Sequence, residues 1–343
     1  MVSQPNSAQI VSVLKLTAIL SVVASLLLFY IIDTRALSAT IEDYKKSGCD
    51  FKIKGEILTG DSNIILRTIS SRFRMTEPYV DEIRPTVCLD SVGGSWEDGV
   101  SLAHAFLMNS VATRIEKDAE CYSACAIIFM GGSTRSEDTH RPNRTLEIGG
   151  ILGFHAPYLE IDESAKFSAQ EAEQIYDYAN RQFSRFIELF SFRSATYPRP
   201  WFATSLIHEL NKYGRDEMMI IDEFQEIVRW DIELANYNKD EVSFLDIAQA
   251  CINFQNWSSD KPSYEISPAD LDQYIQSQNP DATGFYEVNT GGEYVIGCKF
   301  KLTEANRLLF CSYDEASEVN HGECPERPID LPAIYTEKPT AKP

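Results

Sequence analysis

Apolar positions fall into three textures along the chain. The first is unbroken: residues 16–32 (LTAILSVVASLLLFYII) carry no charge, and residues 10–14 extend the run past a single Lys15. No polar face interrupts it, so the pattern predicts a membrane-spanning helix over residues 10–32 rather than a core helix. Lys15 can snorkel to the membrane surface. A cleaved secretory signal is the competing reading, with Ala36-Leu37-Ser38-Ala39 as a weak processing site; the run is longer than most signal cores and favours an uncleaved anchor. Under either reading the remainder of the chain is exported.

The second texture alternates period-two and period-3.6 segments. Residues 51–58 and 85–90 read as strands, and Asp61 opens a helix carrying Ile64, Ile65, Leu66, Ile69 and Phe73. A helix over 96–109 has Val100, Ala103, Phe106 and Leu107 at helical spacing. A strand at 111–115 and a short apolar helix at 126–130, stopped by Gly131-Gly132, come next. A polar loop at 133–144, a strand at 146–154 and a long amphipathic helix at 169–190 follow, and the alternation continues to about residue 234. Repeated strand–helix alternation predicts an α/β domain over residues 45–236 with a largely parallel sheet. Beyond Ser243 short apolar alternations (EYVIGCKF, LLFC) are punctuated by Asn, Ser, Gly and Asp. This third texture predicts a small β-rich domain over 243–325, followed by a Pro-rich extended tail at 326–343; residues 1–36 form the anchor.

Composition narrows the partners. A net charge of −20 opposes binding to nucleic acid or anionic lipid head groups, which need basic patches. Eight cysteines, an even count in an exported chain, permit disulfide bonds, and Cys251, Cys298, Cys311 and Cys324 can pair among themselves. No cysteine pair has zinc-ligand spacing with histidines nearby, so neither a metal nor a cofactor is expected.

Three local features carry candidate chemistry. Gly93-Gly94 ends a strand, where a backbone without side chains can bring its N–H groups to an oxyanion; alone, such a pair is an ordinary strand-to-helix turn. Ser123 lies between a polar loop and an apolar helix, at the positive end of the helix dipole, with small Ala124 after it; alone, it reads as an N-cap. His155 sits at a strand terminus before Pro157, where α/β active sites gather. His104, His140, His208 and His321 have no such context and read as structural or surface residues.

In combination these segments resemble the Clp-type serine peptidases of the ClpP/crotonase-like superfamily, and in particular exported bacterial proteins of that fold. The matching residues are Asp90-Ser91-Val92-Gly93-Gly94-Ser95 for the glycine turn, Ser123-Ala124 for the nucleophile and its neighbour, and Gly153-Phe154-His155-Ala156-Pro157 for the histidine segment. Gly214-Arg215-Asp216-Glu217-Met218-Met219 corresponds to the stretch whose Asp orients the histidine. The resemblance spans residues 49–234 and implies a spiral of ββα units. It implies attack by Ser123, proton transfer to His155, orientation by Asp216, and an oxyanion hole from the N–H groups of Gly93 or Gly94 and of Ala124. A peptide or protein substrate would lie extended along strand edges, and a homo-oligomer is implied by the family habit.

The chain departs from the family at Val92, where a proline is usual, and in a longer loop between Gly131 and Gly150. Cys121 and Cys125 flank Ser123; they can brace or block it as a disulfide, pair elsewhere, or be buried thiols. Glu217 and Asp222 compete with Asp216 for the third position. The expected protein is therefore a membrane-anchored exported serine peptidase whose soluble part is periplasmic. A catalytically inactive scaffold of the same fold is the alternative. An acyl-CoA enzyme is disfavoured, because no basic cluster is present for the cofactor's phosphates.

Overall fold

The computed structural model describes residues 38–73, 84–136, 139–158, 164–237, 239, 241–275, 279–282, 284–289, 296–303, 308–314 and 329–343. The apolar run at 10–32 lies outside them, and among the described residues no helix is long and apolar enough to cross a membrane. Ala39–Pro343 is one unit, built around two hydrophobic cores.

Strand β1 (Thr40–Asp43) pairs antiparallel with β2 (Phe51–Lys54), whose Phe51 and Ile53 are buried while Lys54 is exposed, the alternation of a strand with one covered face. Helix α1 (Asp61–Arg72), strand β3 (Thr86–Asp90) and helix α2 (Trp96–Asn109) follow. Helix α2 starts where Ser95 accepts a hydrogen bond from the Asp98 N–H, and it buries Val100, Leu102, Ala103, Phe106 and Leu107. Next come β4 (Ala112–Ile115), β5 (Glu120–Tyr122), α3 (Ala124–Met130), the hairpin of β6 (Ser133–Arg135) and β7 (His140–Pro142), then β8 (Arg144–Glu147) and β9 (Ile151–Phe154). The long helix α4 (Ala169–Ser191) precedes α5 (Thr204–Leu210), β10 (Met219–Ile220), α6 (Phe224–Arg229) and β11 (Glu233–Ala235).

The main sheet has the order β1-β2-β3-β4-β8-β11 and is parallel except at the β1–β2 edge. A smaller sheet, β10-β9-β5, joins β5 and β9 in parallel and β10 antiparallel. The α/β class expected from the alternation is thus present. Two local expectations change. The single strand expected over 146–154 is two strands in different sheets, because the chain turns at Gly149, which takes φ +88°. The polar loop at 133–144 contains the β6–β7 hairpin.

The second core is built from helix α7 (Phe244–Trp257), the short helix α8 (Leu271–Tyr274), and an antiparallel sheet of β12 (Tyr286–Asn289), β13 (Ile296–Leu302), β14 (Leu308–Asp314) and β15 (Ile329–Leu331). The β-rich expectation missed α7, which is closed by a Ser243–Asp246 capping box. Nor is the C-terminal segment an extended tail. Residues 329–331 are a sheet strand, Ala333–Thr336 is a 3-10 turn, and Ile334 and Thr336 are buried. Asn253 Nδ2 donates to the carbonyls of Tyr335 (2.8 Å) and Glu337 (2.7 Å), and the Phe224 N–H donates to Ala341 O (3.0 Å). The segment therefore fastens α7 to α6.

Disulfides join Cys49–Cys88, Cys121–Cys125 and Cys251–Cys298; Cys311 is also disulfide-bonded, to a residue outside the described set. Such bonds persist in oxidising, extracytoplasmic surroundings. Cys251–Cys298 ties α7 to β13.

One half-buried carboxyl couples stability to pH. Burial pushes the Glu226 carboxyl up to about 7, with Glu223 and Asp222 adding repulsion, although the backbone N–H groups of Asp222 and Glu223 donate to it. A raised native pKa contributes stability below the ordinary carboxylate range, and that contribution is lost as pH rises through 7. Glu226→Gln keeps an acceptor for the two N–H groups and carries no charge. It should stabilise the chain by on the order of 2 kcal/mol at pH 8 and by nearly nothing at pH 3.5, below both values, read by denaturant unfolding at both pH values. Equal effects at the two pH values would overturn this assignment.

Candidate active site

Residues 120–130 bring a strand directly into a helix, and the join is Ser123. Its backbone takes φ 56°, ψ −121°, a region that non-glycine residues rarely enter and that costs about 1–3 kcal/mol to hold. Several contacts hold it there. The Ser123 N–H donates to Gly153 O (3.0 Å), and Ser123 O accepts from the Ile127 N–H (3.2 Å). The Cys121–Cys125 disulfide, both cysteines fully buried, closes across the turn with 5.2 Å between its Cα atoms. Of the alternatives for this pair, the structure selects a brace beneath Ser123, which itself stays half-buried on the cavity wall. All seven residues of α3 are buried, so the turn rests on a packed support.

The Ser123 side chain does not cap its helix, and among the described residues its hydroxyl has no hydrogen-bond partner. The N-cap explanation for this serine therefore does not account for its hydroxyl. A strained strand-to-helix turn presenting a free hydroxyl is the arrangement of a nucleophile elbow.

The glycine turn lies against this elbow. Gly93 takes φ +96°, and a Cβ placed on it would sit 2.6 Å from Tyr122 O and 2.7 Å from Ser123 Cβ. Gly94 takes φ +131° and lies against Ile57, whose carbonyl a Cβ would meet at 2.2 Å. Neither position admits a side chain. The two glycines differ in their N–H groups. That of Gly93 already donates to Ser91 Oγ (3.1 Å), whereas those of Gly94 and Ala124 have no acceptor among the described residues. The open donors beside Ser123 are thus Gly94 and Ala124, and Gly93 serves the close approach. Asp98 fixes the exit of the turn by accepting from Ser95 Oγ (2.7 Å) and from the Gly60 and Ser62 N–H groups (3.1 and 2.9 Å). Burial opposes its charge, but these hydrogen bonds outweigh burial and hold its carboxyl below the ordinary carboxylate range.

His155 follows the last residue of β9 and lines the same cavity as Ser123, Gly93 and Gly94, a cleft of about 520 Å³. The two side chains share this cavity without a hydrogen bond between them. His155 Nδ1 lies 2.8 Å from Ala156 O. A carbonyl only accepts, so Nδ1 carries a proton, and in the neutral ring the lone pair that a general base requires is then on Nε2.

The expected third member does not join them. Asp216 is exposed in the turn before β10 and makes no hydrogen bond to His155. Of its competitors, Asp222 pairs with Lys342, and Glu217 is exposed and outside the cavity. The physical reason is register: β10 pairs with β9 at Met219↔Phe154, and the turn before it presents Arg215 and Met218 to the cavity. The tautomer-fixing role that the resemblance assigns to Asp216 falls to a backbone carbonyl.

Sequence reasoning missed Glu56, Trp96, Tyr158 and Arg215, which also line the cleft. Tyr158 stands beside the His155 ring (centroids 5.3 Å apart), and the Arg215 guanidinium lies 5.4 Å from the Tyr158 centroid. Tyr158 was within reach of a sequence reading, three residues past His155 in the same strand-end segment. Among the described residues no group of three or more His, Cys, Asp or Glu side chains has metal-binding geometry. No family model matches the chain, and no curated protein sequence matches it either.

Proposed function

We propose that the chain is an exported Clp-type serine hydrolase that cleaves peptide bonds, tethered to a membrane by residues 10–32 with its folded part on the periplasmic side. The reading is carried by one observation, the Ser123 hydroxyl left without a partner among the described residues, on a strained elbow beside two N–H groups that meet no acceptor among them. The parallel main sheet with a second small sheet is compatible with a spiral of ββα units, and the disulfides agree with export.

In the proposed reaction Ser123 Oγ bonds to the carbonyl carbon of an extended peptide as its proton passes to His155 Nε2. The Gly94 and Ala124 N–H groups hold the tetrahedral oxygen, an interaction whose single donors are worth about 10²–10³ in rate in serine hydrolases. The C–N bond then breaks, and the leaving amine takes the proton from His155. Water repeats the sequence on the acyl-enzyme, with His155 as base, and regenerates Ser123. Among the described residues no carboxylate hydrogen-bonds to His155, so the site works as a serine–histidine pair supported by the Ala156 carbonyl.

That missing carboxylate favours the second reading, an inactive scaffold of the same fold. Fluorophosphonate labelling of the full chain separates the two. The unaltered protein should label, Ser123→Ala should not, and Asp216→Asn should label within twofold of the unaltered rate because Asp216 touches nothing in the site. No labelling, or equal labelling of Ser123→Ala, removes the hydrolase reading.

A further inference from the structure

Cys121 and Cys125 stand two residues before and two residues after Ser123, so their bond spans a sequence separation of 4 with the nucleophile at its centre. Stabilisation by a disulfide grows with the length of chain it closes. This bond therefore adds less to global stability than Cys49–Cys88, whose separation is 39, and its effect is local.

Three pieces of the site meet at Cys121. It bridges to Ser91 of the glycine turn, where the Ser91 N–H donates to Glu120 O (2.7 Å) and the Tyr122 N–H donates to Ser91 O (3.0 Å). On the other side Cys121 is in register with Leu152 of β9, the strand that His155 follows. Cys125 lies in the first turn of α3, whose first residue, Ala124, offers one of the two open N–H groups. The two backbone hydrogen bonds of Ser123 reach Gly153 and Ile127, and neither joins β5 to α3. The disulfide does. It fixes the start of α3 to the strand that touches both the glycine turn and the histidine strand. Ser123, between the two sulfurs, sits at a positive φ that a serine leaves once its flanks are released.

Both cysteines are fully buried, and so are all seven residues of α3. An external disulfide therefore reaches the thiols before the domain closes, and a reductant does not reach the bond afterwards.

We infer that the Cys121–Cys125 bond is an oxidative activation device: Ser123 becomes a nucleophile only in chains where this bond has formed, and the reduced chain folds without one. The inference rests on the proposed serine-hydrolase reading and adds its regulation. One cysteine thiolate attacks an external disulfide and releases one thiol. The other cysteine thiolate attacks the mixed disulfide, forms the Cys121–Cys125 bond and releases the second thiol. The two electrons lost by the cysteines reduce the external disulfide, and their two protons end on its thiols. Hydrolysis is thereby confined to the oxidising side of the membrane. Cys121 and Cys125 are positioning residues, and neither lines the Ser123 cleft.

Trypsin releases residues 118–135 as one peptide carrying Cys121, Ser123 and Cys125, so a single mass reports both the bond and a label. The unaltered full chain is refolded in detergent micelles in glutathione buffers of graded ratio. Its folded fraction is isolated by gel filtration, labelled with a fluorophosphonate, alkylated in denaturant and digested. The disulfide form of the peptide should label more than tenfold faster than the dialkylated form; about 100-fold is the loss expected from an ångström of displacement at the nucleophile. Labelling of the two forms within tenfold overturns the inference and leaves the nucleophile standing. No label on either form removes the nucleophile and the inference together. Two double variants repeat the comparison without redox buffers. Cys121→Val with Cys125→Ala keeps apolar side chains suited to a strand and a helix, and it should lose labelling by the same factor. Cys49→Ala with Cys88→Ala opens the longer loop; it should lower the melting temperature further yet label within about threefold of the unaltered rate. A matching loss of labelling in both variants assigns the effect to general loosening and overturns the inference. So does a folded fraction that never contains the dialkylated peptide, which assigns the bond to folding.

Discussion

Arg144→Met should destabilise the folded chain by about 3–5 kcal/mol, the cost of stranding buried polar groups, and lower the melting temperature by roughly 5–8 °C. Arg144 is 1% exposed, and its guanidinium donates to the carbonyls of Met130 (2.8 Å), Asp231 (3.0 Å) and Trp201 (3.2 Å). Methionine fills much of the volume but leaves those carbonyls with fewer donors or none. Met130 O keeps the Trp201 Nε1–H (3.2 Å), and the other two lose the bond that ties β11 and the segment before α5 to the end of α3. Met130 is the last residue of the helix whose first turn presents Ser123, so the same substitution should also slow labelling of Ser123. Differential scanning calorimetry reads the first effect and fluorophosphonate labelling the second. A loss below 1 kcal/mol would mean that the three carbonyls find other partners.

Gly93→Ala should cost labelling far more than it costs stability. The added Cβ meets Tyr122 O at 2.6 Å and Ser123 Cβ at 2.7 Å, and Ala124 N at 3.1 Å. These are backbone atoms or atoms fixed to the backbone, so the clash cannot be relieved by swinging a flexible side chain away. Either the glycine turn or the elbow must shift, and an ångström of displacement at a reacting group is worth about 10² in rate. Gly60→Ala is the control. Gly60 has the same φ of +96°, but a Cβ there has nothing within 4 Å. It should lose about 1 kcal/mol through backbone strain and label at the unaltered rate. If both variants label normally, the contact between the two turns does not position Ser123.

What could be read from the sequence follows from how local each signal is. The α2 boundaries at Trp96 and Asn109 were legible because a capping serine precedes a helical apolar face. Ser123 and His155 meet in one cleft because they follow the parallel neighbours β5 and β9, and the two glycines join them because Ser91, just past β3, bridges to Cys121 of β5. Asp216 was misjudged because which residue of a turn faces a neighbour depends on strand register, here Met219 against Phe154, and not on spacing in the chain. The division of the glycine N–H groups was equally hidden, since it depends on Ser91 Oγ reaching back to Gly93. Helix α7 carried a legible signal in Ser243 and Asp246, outweighed in the reading by the polar texture of the segments after it. The C-terminal prolines mask two apolar positions, Ile334, which joins the first core, and Tyr335, which packs against both.

That C-terminal segment has a practical consequence. Residues 333–341 bridge α7 and α6, Lys239 pairs with both Asp246 and Glu337 (2.9 Å each), and the Tyr237 hydroxyl donates to Glu337. The two cores are therefore laced together by a piece of chain remote in sequence from their junction. A protease nick between residues 237 and 243 should leave both fragments co-eluting as one particle. Fusions or truncations at the carboxyl end would loosen a joint, not trim an appendage.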